Sequence, residues 1–323
     1  MYLTVARQLL VMAAIVIISF FFSRKNKFGQ AASQYLSRLL LYVINPCMIV
    51  STFDAEFSAP KLKSLGLAVV VSLAFHLVMI LLATLLFGLK KSRSVEDPDW
   101  ARACLSKIGV VFTNSGFIGI PLINGVFGGE GVFYLMGYIL VFNVLLWTWG
   151  EWLMTGAVRP LKIILNPNVL ACAAGLVVFC APFKMPYVVI EPLKMIGACN
   201  GAASMILLGL LFSSFGGNGL QDQERAAFAK PLARDIVLRL VLFPLILLAA
   251  TLLALRLFSG VQEIQLIMSV LFIASCCPVG MSVSSFAVVF DKDADYASLL
   301  VAISSAACVV TVPLLVALLE ALV

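Results

Sequence analysis

Charge is what this chain of 323 residues has least of: 12% of its positions are Asp, Glu, Lys or Arg, about half the share usual in soluble domains. There is one histidine, His76, and there is no H-E-x-x-H, no pair of aspartates inside an apolar segment and no serine–histidine pair flanking a site. Those gaps exclude the familiar intramembrane hydrolases, and the chain is read as a non-enzyme. The eight cysteines, Cys276 and Cys277 among them, form no C-x-x-C pair and no zinc-like spacing. They are read as small thiols at helix contacts, with no metal and no cofactor expected. No basic, aromatic-laced soluble stretch is present, so nucleic acid is not an expected partner. What the chain has instead is apolar surface: 62% hydrophobic residues and a mean hydropathy of +1.09. This is the composition of a polytopic membrane protein with the lipid bilayer as its solvent.

Ten apolar segments have the length of a span, about 20 residues each. They run over 3–22, 34–52, 64–88, 104–124, 131–154, 166–183, 187–212, 235–258, 264–290 and 296–322. Arg24, Lys25 and Lys27 follow the first segment with no small-residue cleavage site before them, so it reads as a retained span. Sixteen of the 22 Lys and Arg, Lys107 and Arg239 included, fall in the odd-numbered connections and their flanks. Odd connections are therefore expected inside a cell (plasma or inner) membrane, with both termini outside. Trp147, Trp149 and Trp152 would form an interfacial belt at the inner end of the fifth span. Glu151 and Glu320 would reach water at span ends. The stretch 213–234 is polar and glycine-bearing and reads as a flexible tether.

The expected fold is an all-α membrane protein of ten helices in two inverted five-helix repeats. Residues 1–154 form one repeat, 155–165 a linker and 166–323 the other. The chain shifted by about 160 residues lays the first five spans over the last five, and an odd number of spans per half turns the second half over.

Two stretches depart from a lipid-facing helix. Phe112–Asn124 reads FTNSGFIGIPLIN, and Ala274–Ser285 reads ASCCPVGMSVSS. Proline gives no N–H and glycine weakens a helix, so both segments are expected to break. Such backbone survives at membrane depth only where protein or a wet cavity completes its hydrogen bonds. Paired interruptions in the two halves, helices four and nine, point to the substrate site of a transporter. Free N–H groups at helix starts favour an anion. The candidate binding residues are Asn114, Ser115, Gly116, Cys277, Pro278, Val279 and Gly280, with Asn45 and Asn200 lining a cavity beside them or gluing helices together. Pro46, Pro121 and Pro278 are the expected break points. His76 is either a packing residue or part of a proton-linked step. Neither interruption carries an acidic residue, the usual mark of a dedicated sodium or proton site, although carbonyls alone can hold sodium.

FTNSGFIGIPLINGVFG, with its N-x-G-F-x-G-x-P-L pattern at Asn114–Leu122, resembles the auxin efflux carrier family of permeases. So do NPCMIVSTF from Asn45, NPNVLACAAGLVV from Asn166 and CCPVGMSVSSFAVVFDKDADYAS from Cys276. The family is similar to plant PIN-type carriers and, further off, to bile acid–sodium symporters. The resemblance implies a scaffold of spans one, two, six and seven, often dimeric, so that a homodimer through those helices is a candidate assembly. Spans three to five and eight to ten would form a transport unit that moves as an elevator. It also implies a substrate carboxylate at the crossing of spans four and nine, with Asn114 and Pro278 at its centre. Thr113 stands where plant carriers have proline, and Val279 replaces a polar residue, so auxin itself is not the implied substrate. The expected function is efflux or uniport of small organic anions, with a sodium- or proton-coupled symporter and a membrane anion sensor as the alternatives.

Overall fold

The computed structural model describes residues 1–26, 30–88, 98–181, 184–214, 222–290 and 292–323, with backbone alone for 30–31, 98–99, 214 and 222–227. Lys27, Lys90, Lys91, Arg93 and the Arg225 side chain, all counted towards topology, lie outside the described residues. Among the described residues there is no strand, and sixteen α-helices follow one another. They are α1 (Tyr2–Asn26), α2 (Gln30–Leu39), α3 (Asn45–Thr52), α4 (Ala59–Phe87), α5 (Pro98–Val111), α6 (Ile120–Leu145), α7 (Glu151–Thr155) and α8 (Pro160–Ile164). Then come α9 (Pro167–Cys180), α10 (Tyr187–Ala198), α11 (Asn200–Ser214), α12 (Asp222–Val237), α13 (Phe243–Leu257), α14 (Ile264–Cys276), α15 (Met281–Val289) and α16 (Ala294–Leu322).

Seven helical stretches among the described residues are long and apolar enough to cross a membrane, and α9 and α14 are shorter apolar helices. The difference from ten expected spans has local causes. The fourth and ninth segments are each split, at 112–114 and 277–280. The second part of the fourth runs into the fifth as one stretch, Ser115–Thr155, which turns only at Gly128, where φ is +65°. Glycine accepts that backbone without a Cβ penalty.

Two of the three expected proline breaks do not occur. Pro46 and Pro121 both sit in continuing helix, each two residues after a π-turn (Leu40–Ile44 and Ser115–Gly119). Pro244 follows Leu238–Leu242 in the same way. A proline orphans the carbonyl four residues earlier and crowds it. That carbonyl falls inside the π-turn in all three cases, where the wider turn makes room. Pro278 does lie in a break. The expected tether 213–234 is helical from Asp222 onward, as the start of α12, and the expected linker contains α8.

Packing gathers most of the helices into two groups, which meet where α1 also lies along α16. In one, α1 lies along α11, and α3 lies along α9 and α10. In the other, α4 and α14 pack on α6, α13 packs on α14, and α15 packs on α16. The apolar centre lies in the second group: from Val270 to Ala274 every residue of α14 is buried, as expected for a helix that is hydrophobic all round. Polar ties close its end: Arg102 pairs with Asp293 at 3.0 Å. The Tyr296 hydroxyl donates to the buried Asp235 at 2.6 Å and lies 3.1 Å from Ser106 Oγ. In the first group, α1 and α9–α11 keep large apolar side chains such as Ile18, Val177 and Val188 exposed, the surface a helix offers to lipid.

Candidate functional site

The two breaks meet. Thr113 and Val279 form an isolated antiparallel bridge. Asn114 N–H donates to the Pro278 carbonyl at 2.7 Å, and Gly280 N–H donates to the Phe112 carbonyl at 2.9 Å. Each unwound strand thus supplies the partners that the other lost, which is the requirement for irregular backbone in a dry place. Val279 N–H is taken by Ser304 Oγ at 3.2 Å, and Pro278 has no N–H to satisfy. Gly280 permits the approach: a Cβ there would stand 2.9 Å from the Thr113 carbonyl oxygen and 3.1 Å from that of Phe112.

The breaks create four helix ends with opposite electrostatics. On one side, α5 and α14 finish with carbonyls pointing outward from their C-termini, and on the other the π-turn at Ser115 and helix α15 begin. C-terminal ends carry roughly half a negative charge and N-terminal ends roughly half a positive one. The negative ends are already matched. Arg239, fully buried, donates from Nη1 to the Val110 carbonyl at 3.0 Å and from Nε to the Cys277 carbonyl at 3.1 Å. Its Nη2 bonds the Ser275 carbonyl. The positive ends are not matched. Asn114 caps its turn by accepting from Phe117 N–H at 3.3 Å, but its amide Nδ2 has no partner. Nor do the hydroxyls of Ser115 and Ser282. Gly116 borders open space, with nothing within 4 Å of the position its Cβ would take. Cys277 Sγ lies against Gly119, 3.5 Å from where a Cβ would be. The structure therefore brings Asn114, Ser115, Cys277, Pro278, Val279 and Gly280 together, with Gly116 at their edge.

Asn45 and Asn200 stand beside this crossing and bond each other, Asn200 Nδ2 to Asn45 Oδ1 at 2.6 Å. Asn200 opens on a polar cleft of about 360 Å³ that it shares with Gln8, Pro121, Asn124 and Lys194, whereas Asn45 does not line it. A second cavity, apolar and about 610 Å³, reaches Ile118 just past the break and Ser305 on α16. Paired helix ends with unpartnered donors, bordered by two cavities, thus lie inside a bundle of apolar helices.

A family model described as membrane transport protein matches residues 4–159 and 152–316, nearly the whole chain. The chain belongs to the auxin efflux carrier family. It is a multi-pass membrane protein of a transport family, not of an enzyme family. No curated protein matches the sequence of this permease.

Several residues of the permease sit elsewhere than the sequence suggested. Arg239, counted as a topological charge, is the cation at the crossing. Its one visible signal is its place, four residues inside an apolar segment, where an ionisable group is a functional candidate by default. Lys107 is also buried, donating at 2.8 Å to the Gly88 carbonyl just past α4. Glu151 does not reach water: it is fully buried, with Lys162 at 3.2 Å and Arg159 at 3.8 Å. Glu320, in contrast, is exposed at the end of α16 as expected, and it holds the N-terminal amine at 2.5 Å. Trp152 is exposed, while the half-buried Trp147 packs on Phe286 and Trp149 turns towards Phe112. Cys180 and Cys199 are exposed, against the expectation of buried thiols. His76 is buried behind the crossing. Its Nδ1 lies 2.8 Å from the Ser72 carbonyl, its ring centroid is 4.6 Å from that of Tyr138, and its Nε2 has no partner.

Proposed function

We propose that this permease is a secondary transporter of small organic anions, most simply carboxylates, and that the anionic group binds at the N-terminal side of the crossing. The observation that carries the reading is the unequal treatment of the four helix ends. The C-terminal pair has a resident cation, while the N-terminal pair presents an amide and two hydroxyls without partners. Unpaired buried donors cost about 1–3 kcal/mol each. A carboxylate, acceptor-only and negative, would satisfy all three and meet two positive helix ends.

The carrier is read as ten spans in two inverted five-helix repeats, with helices four and nine broken and crossing. The packing groups support a scaffold of α1–α3 and α9–α11 and a transport unit of α4–α7 and α12–α16. The unit would carry the crossing past the scaffold by an elevator movement, and the cleft at Asn200 and Pro121 lies where the two groups face each other. In a cell membrane with the inside negative, a monovalent anion is driven outward by about 2.3 kcal/mol per 100 mV. Efflux or uniport then requires no further energy source.

The test is a thermal-shift screen of mono- and dicarboxylates on the purified protein, followed by flux of each hit into proteoliposomes. At least one carboxylate should be carried by the wild type. Asn114→Ala should lose that flux while still inserting and folding, with only the small fall in melting temperature that losing its cap to Phe117 N–H brings. Full flux in the variant would remove the assignment of the site, and no flux of any carboxylate by the wild type would remove the substrate class.

A further inference from the structure

Arg239 belongs to the C-terminal side of the crossing. It is an arginine with no exposed surface, and no carboxylate among the described residues pairs with it. Burying a lone charge in a medium of low dielectric is costly unless other groups take over the work of water. Here that work falls to carbonyl oxygens, those of Val110, Ser275 and Cys277, and Met79 Sδ lies 3.6 Å from Nη1. Val110 belongs to α5, Ser275 to the last turn of α14, and Cys277 caps that helix. Carbonyls converging from the C-termini of broken helices are also the ligand set by which membrane carriers hold an alkali cation. In this chain the set is taken by a side chain that comes from the π-turn Leu238–Leu242, 129 residues from Val110 and 36 from Ser275. That turn brings Arg239 inward at the depth where both helices stop.

We infer that Arg239 is a built-in cation standing where a coupling ion would otherwise bind, so that the crossing is complete without sodium. The guanidinium, with five donors in a fixed fork, holds both C-terminal ends at once. It cannot leave during the cycle as a metal ion can. The positive charge needed opposite a bound anion is therefore permanent, and a sodium gradient has no site at this place through which to act. The inference deepens the carrier reading of the same crossing and rests on it. Its test uses no organic anion, so the two can fail separately.

The experiment uses the purified full chain in detergent, melted in sodium, potassium or choline chloride at equal ionic strength, together with direct binding of radioactive sodium. For the wild type the three melting curves should coincide and sodium binding should not saturate. Saturable sodium binding by the wild type, or stabilisation by sodium over choline, overturns the inference. The second arm uses Arg239→Ala, which leaves the carbonyls without a donor. Its melting temperature should fall and should be restored at least in part by guanidinium at concentrations below those that denature, or by sodium over choline. Guanidinium should not stabilise the wild type. An Arg239→Ala protein recovered folded but indifferent to all three cations also overturns it, because a side chain that only fills space would not be replaced by a cation. If that variant is not recovered, the wild-type arm decides alone.

Discussion

Gly280→Ala tests the close approach of the two breaks with a single methyl group. The added Cβ would lie 2.9 Å from the Thr113 oxygen, 3.0 Å from Ser282 Oγ and 3.1 Å from the Phe112 oxygen. Ser282 can rotate away, but the other two neighbours are backbone carbonyls held in the bridge. The strands must part by a few tenths of an ångström, which stretches the Gly280–Phe112 bond from 2.9 Å and loads the Asn114–Pro278 bond beside it. Overpacking of this kind costs about 1–3 kcal/mol, and weakening two buried hydrogen bonds adds about 1 kcal/mol. Backbone strain adds nothing, because Gly280 has φ −67° and ψ 139°, which alanine adopts freely. The sum of about 2–4 kcal/mol should lower the melting temperature of the purified protein by about 3–6 °C. Carboxylate flux should fall further than stability does, because Asn114 is carried on the displaced strand. A variant that melts and transports like the wild type would refute the close pairing of residues 112–114 with 278–280.

Gly116→Ala should behave in the opposite way. Nothing lies near its Cβ position, and alanine gains about 1 kcal/mol over glycine in a helical turn, so melting should stay or rise while carboxylate affinity falls; unchanged affinity would show that the open space is not substrate space. Asn45→Ala and Asn200→Ala should each cost about 1–3 kcal/mol, with the double variant costing less than their sum; additive losses in a melting cycle would mean that the 2.6 Å bond between them carries no energy. His76→Phe should keep most of the flux and its response to a pH gradient, since the ring packs on Tyr138; loss of that response in proteoliposomes would instead assign His76 a proton-linked step.

The amino-acid order announced the crossing more clearly than the helices around it. Thr113, Asn114, Ser115 and Gly116 have no place on a lipid-facing helix, and neither does Cys277-Pro278-Val279-Gly280. A mixture of polar and helix-weakening residues within an apolar run marks a break whatever the tertiary structure. Proline by itself was a poor guide. Pro46 and Pro121 resemble Pro278 in sequence, yet a π-turn absorbs each of them, and whether the preceding turn can widen depends on packing that no short window contains. Arg239 was concealed by the rule that makes basic residues useful for topology. Only the third dimension shows that this one turns inward to carbonyls from α5 and α14, which are far from it in sequence. The buried states of Glu151 and Lys107 were hidden for the same reason: their partners, Lys162 and the Gly88 carbonyl, are 11 and 19 residues away.

The central claim is that an anionic group sits against the free helix N-termini of the crossing. The most direct measurement is a density map of the protein with a carboxylate found by the thermal-shift screen. The carboxylate should lie within about 3 Å of Asn114 Nδ2 and of the Ser115 or Ser282 hydroxyl, with the Arg239 guanidinium still on its three carbonyls. A carboxylate bound elsewhere, with Asn114 and Ser115 left as they are in its absence, would contradict the account.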